Sequence, residues 1–287
     1  MKSRILFASA MLVAVVILTL LTLMFTKRAP AISEATVIPP DWKNGETHAF
    51  AIHRPAVGRQ ATAYFRILTG EYEGRPIFKI VYNAKSDTFS EASETIVDAV
   101  TLEPYKTARK NKSASGVSYT DISYGERKIV VRRKTGEQGT IRETIIDFPG
   151  RIFDYYEVMW LIPQLDFSND DRLHFALFTP VGDQTLLVVV RNMGEDSFEF
   201  HGKKFKGTRF MYNLNLVTQE VWVGTINGRK TVLKYDTGEH VFYNLALLKG
   251  EAVKELPPKT EAKKEEPPKE EEKKEPAPPE EEGKVYF

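Results

Sequence analysis

From Thr47 onward, apolar and polar residues alternate with a period of two, and one long interruption divides the alternation. A strand sends successive side chains to opposite faces, so this pattern builds sheet with one face on a core and the other in solvent. The segments "THAFAIH" (47–53), "QATAYFRIL" (60–68) and "RPIFKIVYNAK" (75–85) are separated by Gly58, Gly70 and Gly74. "SETIVDAVTLEPYKTARK" reads as a strand, a turn near Leu102 to Pro104, and a returning strand. "GVSYTDISY", "RKIVVRRK" and "TIRETIIDF" follow across Gly125-Glu126 and Gly136 to Gly139. Connections this short make hairpins, and hence an antiparallel meander.

The interruption is "RIFDYYEVMWLIPQL", which follows Pro149-Gly150. Helical spacing places Ile152, Tyr156, Met159 and Trp160 on one face with Phe153 beside them, and Pro163 marks the end. So wide an apolar arc requires enclosure. Strands then resume: "RLHFALFTP", "QTLLVVVRN", "DSFEFHGKKFKGTRFMYNL", "QEVWVGTI", "RKTVLKYD" and "HVFYNLAL". The expected fold is mainly β, a curved antiparallel sheet wrapped around one central helix, whose residues Ile152, Phe153, Tyr156, Met159 and Trp160 line the concave face. Leu186 to Val190 is apolar on both faces, so its second face needs a cover or a cavity.

The two ends of the chain are of different character. Residues 5–26 carry no charge, and as a helix they span about 33 Å against roughly 30 Å of bilayer hydrocarbon. Lys2 and Arg4 precede the run, and Lys27 and Arg28 close it. The expectation is an N-terminal transmembrane helix (1–28), in signal-anchor orientation at the bacterial inner membrane with the domain in the periplasm. The alternative is a cleaved signal, with Ala29-Pro30-Ala31 as its site, and a periplasmic product. A linker (29–44) leads to the β domain (45–249). The remainder (250–287) is rich in Lys, Glu and Pro, repeats "PPK" after ten residues, and reads as a disordered tail. It ends on Val285, Tyr286 and Phe287, an apolar C-terminus of the kind that groove-type receptors capture by strand addition, hence a candidate partner-binding motif.

Composition removes several function classes. Without cysteine there is no disulfide, thiolate nucleophile or zinc ribbon. Residues 251–287 hold twelve Glu and eight Lys, a net of −4, which leaves +5 for the rest of a chain whose net is +1. That is too little for a nucleic-acid binder. His48, His53, His174, His201 and His240 lack metal-ligand spacing, and His48 and His53 fall on opposite faces of one strand. The cluster Asp166, Asp170 and Asp171 lacks the Gly and closing Glu of an EF-hand and reads as a solvated turn. No nucleophile elbow or phosphate loop is present. No catalytic residue, cofactor or metal is therefore expected. Two basic runs, Arg127, Lys128, Arg132, Arg133, Lys134 and Lys203, Lys204, Lys206, Arg209, are candidates for contact with an anionic surface, although solvated strand faces that block edge pairing are the favoured reading.

"VDAVTLEPYKTARK", "FDYYEVMWLIPQLDF", "FEFHGKKFKGTRF" and "QEVWVGTINGRKTVLKYDTGEHVFYNL" together resemble the bacterial envelope family catalogued as domain of unknown function 3108. The shared pattern includes an aspartate and a threonine-leucine-x-proline turn, here Asp98 and Thr101-Leu102-x-Pro104, and spans about residues 45 to 248. The resemblance implies a half-barrel similar in shape to periplasmic lipoprotein carriers, with an apolar cavity and no established activity. A retained anchor departs from carriers cleaved to a soluble form and argues against free shuttling between membranes. The function expected is non-catalytic binding of an apolar, lipid-like ligand or of an envelope protein, at the inner membrane. The alternatives are a tether acting through the C-terminal motif and an envelope glycan hydrolase.

Overall fold

The computed structural model describes residues 33–55, 58–148, 150–180, 182–214, 216–249 and 253–254. A short strand, β1 (Ser33–Glu34), comes first. The alternating segments then pair in sequence order as the short connections require. β2 (Glu46–Arg54), β3 (Gly58–Tyr72), β4 (Arg75–Lys85), β5 (Ser90–Asp98), β6 (Pro104–Ser113), β7 (Gly116–Tyr124), β8 (Lys128–Thr135) and β9 (Arg142–Asp147) form one antiparallel meander. After β10 (Ile152–Asp154), the strands β11 (Arg172–Thr179), β12 (Gln184–Phe200), β13 (Lys203–Leu214), β14 (Val217–Ile226), β15 (Arg229–Asp236) and β16 (Val241–Asn244) form a second. Antiparallel pairing of β16 with β2, Val241 opposite His53 and Asn244 opposite Phe50, joins the two into a single large open sheet. β1 and β10 add to β11 in parallel, and β17 (Val253–Lys254) pairs with β14.

The turn expected near Leu102 to Pro104 forms as read. Asp98 Oδ1 accepts the backbone N–H groups of Val100 and Thr101, and Oδ2 accepts the Tyr105 hydroxyl at 2.9 Å. The Asp98 carboxyl is held below the usual carboxylate range: those hydrogen bonds outweigh the burial that acts against them.

Because β9 and β11 lie at opposite ends of the pairing order, the chain between them must cross the sheet. Here the structure departs from the sequence reading. Ile152 and Phe153 sit in β10, opposite Ala176 and Leu177, and the α-helix is a single turn, α1 (Val158–Leu161). A 3-10 turn (Ile162–Gln164) follows and contains Pro163, which continues the turn rather than ending a helix. The reason lies at Asp154 and Glu157. Glu157 Oε1 accepts the Asp154 N–H and Asp154 Oδ1 accepts the Tyr156 N–H, both at 2.7 Å, a reciprocal cap that starts helical geometry only after residue 154. The parallel ladder to β11 claims the residues before it.

The expectation of enclosure holds: Val158 to Leu165 is buried throughout. The Trp160 ring meets His48 at 4.8 Å, Phe65 at 5.2 Å, Trp42 at 6.1 Å and Phe50 at 6.4 Å. Trp42 and β1 belong to the stretch read as linker, so residues 33–44 pack with the domain. Side chains also join the two ends of the pairing order: Ile122, Ile129 and Val131 from β7 and β8 cluster with Ile152 and Phe178 from β10 and β11.

A second, smaller core lies on the other face of β2 and β14–β16. Phe198 and Phe200 of β12 pack there on Trp222, Leu233, Ala51 and Leu247, and Phe200 stacks on Tyr243 at 4.3 Å. The register shift in β12 between Asn192 and Glu195 bends the strand toward this cluster. His53 joins this core through Phe200 and Tyr243 while His48 faces Trp160, so the two histidines do occupy opposite faces. Leu186 to Val190 divides by parity: Val188 and Val190 are in the core, while Leu187 is 71% exposed. Among the described residues no helix is long and apolar enough to cross a membrane. The anchor read at 1–28 and the tail read at 250–287, apart from β17, lie outside the described residues.

Gly207 of β13 has no room for a side chain: a Cβ there would sit 2.9 Å from the Val223 carbonyl oxygen and 3.2 Å from Leu233 Cδ1. Since backbone cannot move aside as a flexible side chain does, Gly207→Ala is expected to destabilise the domain by about 1–3 kcal/mol in denaturant unfolding. An unchanged midpoint would show that β13 and β14 separate at no cost.

Candidate ligand-binding cleft

The cleft follows from strand register. Phe65 on β3 lies opposite Tyr82 on β4, Tyr82 opposite Ser93 on β5, and Ser93 opposite Arg109 on β6. These four residues form one rung across the sheet, all on the face that meets α1. The turn into α1 supplies the facing wall with Tyr155, Tyr156, Val158 and Met159, and Tyr235 and Phe242 of β15 and β16 complete the lining. The cleft, open on one side, has a volume of about 280 Å³.

Half of the lining is aromatic. Phe65 and Tyr82 rings are 4.8 Å apart, Tyr155 and Tyr156 5.6 Å, and Tyr235 and Phe242 5.8 Å. One charged pair is set among them: Arg109 Nε donates to Glu91 Oε1 at 2.7 Å, and the guanidinium carbon lies 5.2 Å from the Tyr156 ring centre. Behind the lining, the Tyr212 and Tyr235 hydroxyls both donate to Gln219 Oε1, at 2.7 and 2.6 Å, and lie 2.9 Å from each other. Burial pushes the Tyr82, Tyr156, Tyr212 and Tyr235 phenols up from their ordinary value, so all four keep their protons at physiological pH.

A second polar group lies further along the same inward face and is sealed. Asp154 is 0% and Glu157 2% exposed. Asp154 accepts the Tyr124 hydroxyl and the Thr107 hydroxyl (2.8 Å), and Thr107 Oγ1 is 3.2 Å from Thr95 Oγ1. Glu157 Oε2 has no hydrogen-bond partner among the described residues. Burial pushes the Asp154 carboxyl up despite its hydrogen bonds, and burial together with the charge of Asp154 pushes the Glu157 carboxyl up further. These carboxyls brace the crossover turn. They are not two acids facing across an open cleft, as glycoside hydrolysis requires.

The residues singled out from sequence are dispersed. Tyr156 and Met159 line the cleft, Trp160 packs against the sheet beside it, and Ile152 and Phe153 lie in β10. Much of the basic character of the two runs is spent internally. Arg132 pairs with Glu143 and Arg133 with Asp183, each at 2.7 Å, and Lys134 reaches the Glu137 carbonyl. Arg209 pairs with Asp196 (2.9 Å) and Glu220, and Lys206 with Glu195 (3.2 Å). Arg127, Lys128, Lys203 and Lys204 are exposed. Asp166 accepts the Ser168 N–H, Asp170 the Ser33 hydroxyl, and Asp171 lies 3.7 Å from Arg172. No group of three or more potential metal ligands occurs among the described residues. Val285, Tyr286 and Phe287 lie outside the described residues.

Of the cleft lining, only Tyr156 and Met159 were singled out from sequence; the residues missed include Phe65, Tyr82, Glu91, Ser93, Arg109 and Tyr235. A signal was present. Counting by two from the buried Val97 of β5 puts Thr95, Ser93 and Glu91 on the core-facing side, a polar run where an apolar one belongs.

The raised Glu157 carboxyl fixes a pH dependence. Below about pH 4 both the folded and the unfolded chain hold the proton. As pH rises, the unfolded chain releases it and the folded one does not, so stability falls from that point up through the raised folded value. Glu157→Gln removes this slope, so its advantage in unfolding free energy over the native chain, read by denaturant titration, should grow between pH 4 and pH 8, reaching roughly 1–3 kcal/mol. A difference that stays constant with pH would mean Glu157 is ionised in the fold. Set against family models, curated proteins and solved structures, the chain matches none.

Proposed function

We propose that this chain is a membrane-anchored envelope protein whose β domain binds the apolar chain of a small amphiphile without catalysis. In this reading the sheet is a half-barrel curved around the crossover, and the uncharged run at 5–26 holds the domain at the periplasmic face of the inner membrane. The observation that carries the reading is the aromatic cleft between α1 and the rung Phe65–Tyr82–Ser93–Arg109.

Size limits the ligand. At about 30 Å³ for a water-sized group, 280 Å³ holds on the order of nine such groups. That suits one medium acyl chain or a ring, and it is too small for the several chains of a lipoprotein. Burying eight methylenes contributes up to about 6 kcal/mol, which places the dissociation constant on the order of tens of micromolar. Such affinity suits reversible sampling of membrane-derived amphiphiles.

The test is photolabelling of the full chain with a decyl chain bearing a diazirine, mapped by mass spectrometry. Label is expected on Phe65, Met159 and Phe242, and Ser93→Leu, which fills the cleft from its β5 wall, should reduce it at least fivefold with the melting temperature retained. Label scattered over the exposed surface, or label that Ser93→Leu leaves unchanged, would remove the proposal.

A further inference from the structure

We infer that the cleft selects a single-chain amphiphile with an anionic head group, and that Arg109 is the residue that holds the head. This rests on the binding reading above and deepens it.

The inference comes from counting donors and acceptors at the cleft wall. Arginine presents five N–H donors and accepts nothing. The hydrogen bond of Arg109 within the described protein runs from Nε to Glu91, and its two terminal nitrogens have no such partner. They are not sealed, because the buried polar atoms that lack a partner do not include them. Cleft and guanidinium thus share an open pair of parallel donors, the fork that matches a carboxylate or phosphate. The Tyr82 and Tyr156 hydroxyls stand in the same lining, protonated, and add donors.

Acceptors are fewer. Glu91 is the one carboxylate of the lining, and one of its oxygens is already taken by Arg109. A cationic head would meet the guanidinium itself, which stays charged at every physiological pH. An uncharged hydroxyl head would leave the fork unmatched. An anion fits all the open positions at once: its oxygens on the fork, its chain along Phe65, Val158, Met159 and Phe242. Glu91 has a positioning part, since it fixes the Nε edge and so turns the fork toward the cleft. Side chains of Arg109 and Glu91 are 26% and 17% exposed, so the pair is partly shielded and a bound anion is attracted more strongly than at an open surface.

The experiment uses the full chain and three diazirine-bearing decyl probes that differ only in the head: carboxylate, alcohol and trimethylammonium. The half-saturating concentration for labelling Met159 and Phe242 is measured for each at pH 7. The carboxylate should label at about tenfold lower concentration than the alcohol, the value of a charge-assisted hydrogen bond. Arg109→Gln should abolish that preference, bringing the ratio of carboxylate to alcohol concentrations to about one. Because Arg109→Gln leaves Glu91 unpaired, the double variant with Glu91→Gln, which removes both charges together, keeps the test independent of folding and should give the same result. Comparing each probe with itself across variants cancels differences in membrane partition. Equal labelling by carboxylate and alcohol, or tighter labelling by trimethylammonium, overturns the anionic assignment while the binding reading stands. A preference that survives in the double variant overturns the role of Arg109. If no probe labels the cleft, the binding reading itself falls.

Discussion

The contact on which the rest depends is Trp160 seated on the middle of the sheet. Its indole meets residues of β2 and β3 and the Trp42 ring from the segment before β2. Pairing alone would leave two meanders joined only at β2 and β16, with a long face of Phe50, Ile52, Phe65, Ile67 and Ile80 open to water. An apolar face of that extent is unstable in solution. The crossover covers it because topology gives it no other route, and Trp160 is the residue large enough to fill the centre.

That cover is short, and its shortness creates the cleft. One turn of α-helix and a 3-10 turn lie on β2, β3 and β15, and the inward faces of β5 and β6 are covered only in part: Thr95 and Thr107 are buried, while Glu91 and Arg109 stay half-buried. The sequence compensates there with Glu91, Ser93, Thr95, Thr107 and Arg109, residues able to be half-wet or mutually bonded. Where the cover is complete the polar groups close on each other, as Thr107, Tyr124 and Asp154 do. Where it stops, Arg109 and Glu91 face a cavity. The same strand faces thus hold a sealed polar cluster at one end and a half-open cleft at the other.

The strands were legible because alternation and glycine-bearing turns are local. β4, β7 and β15 begin and end where the pattern places them. The helix was overread because the helical pattern of "RIFDYYEVMWLIPQL" does not register that Ile152 to Asp154 can pair with β11, a contact made some twenty residues away in the chain. A capping pair at Asp154 and Glu157 was visible in principle, as an acid followed three residues later by Glu. The cleft was less accessible still. Its rung unites residues from four strands, and only the register, fixed by hairpin geometry in three dimensions, brings Phe65, Tyr82, Ser93 and Arg109 together.

Conspicuous charge and available charge are therefore different things in this molecule. The basic runs draw the eye because their members are adjacent in sequence, yet adjacency on a strand alternates faces and gives each side chain its own cross-strand neighbour. Arg132 finds Glu143 on β9, Arg209 finds Glu220 on β14, and Arg133 finds Asp183 beyond the end of β11. Such pairs, partly exposed, contribute little to stability and still occupy the donors. Arg109 sits in "YKTARKNK", no more prominent than its neighbours. It differs because β6 turns it inward beneath the edge of the crossover, where one acid holds its side and no hydrogen-bond partner among the described residues meets its end. Enclosure by a short cover, rather than density of charge, is what sets this arginine of the sheet apart from those in the basic runs.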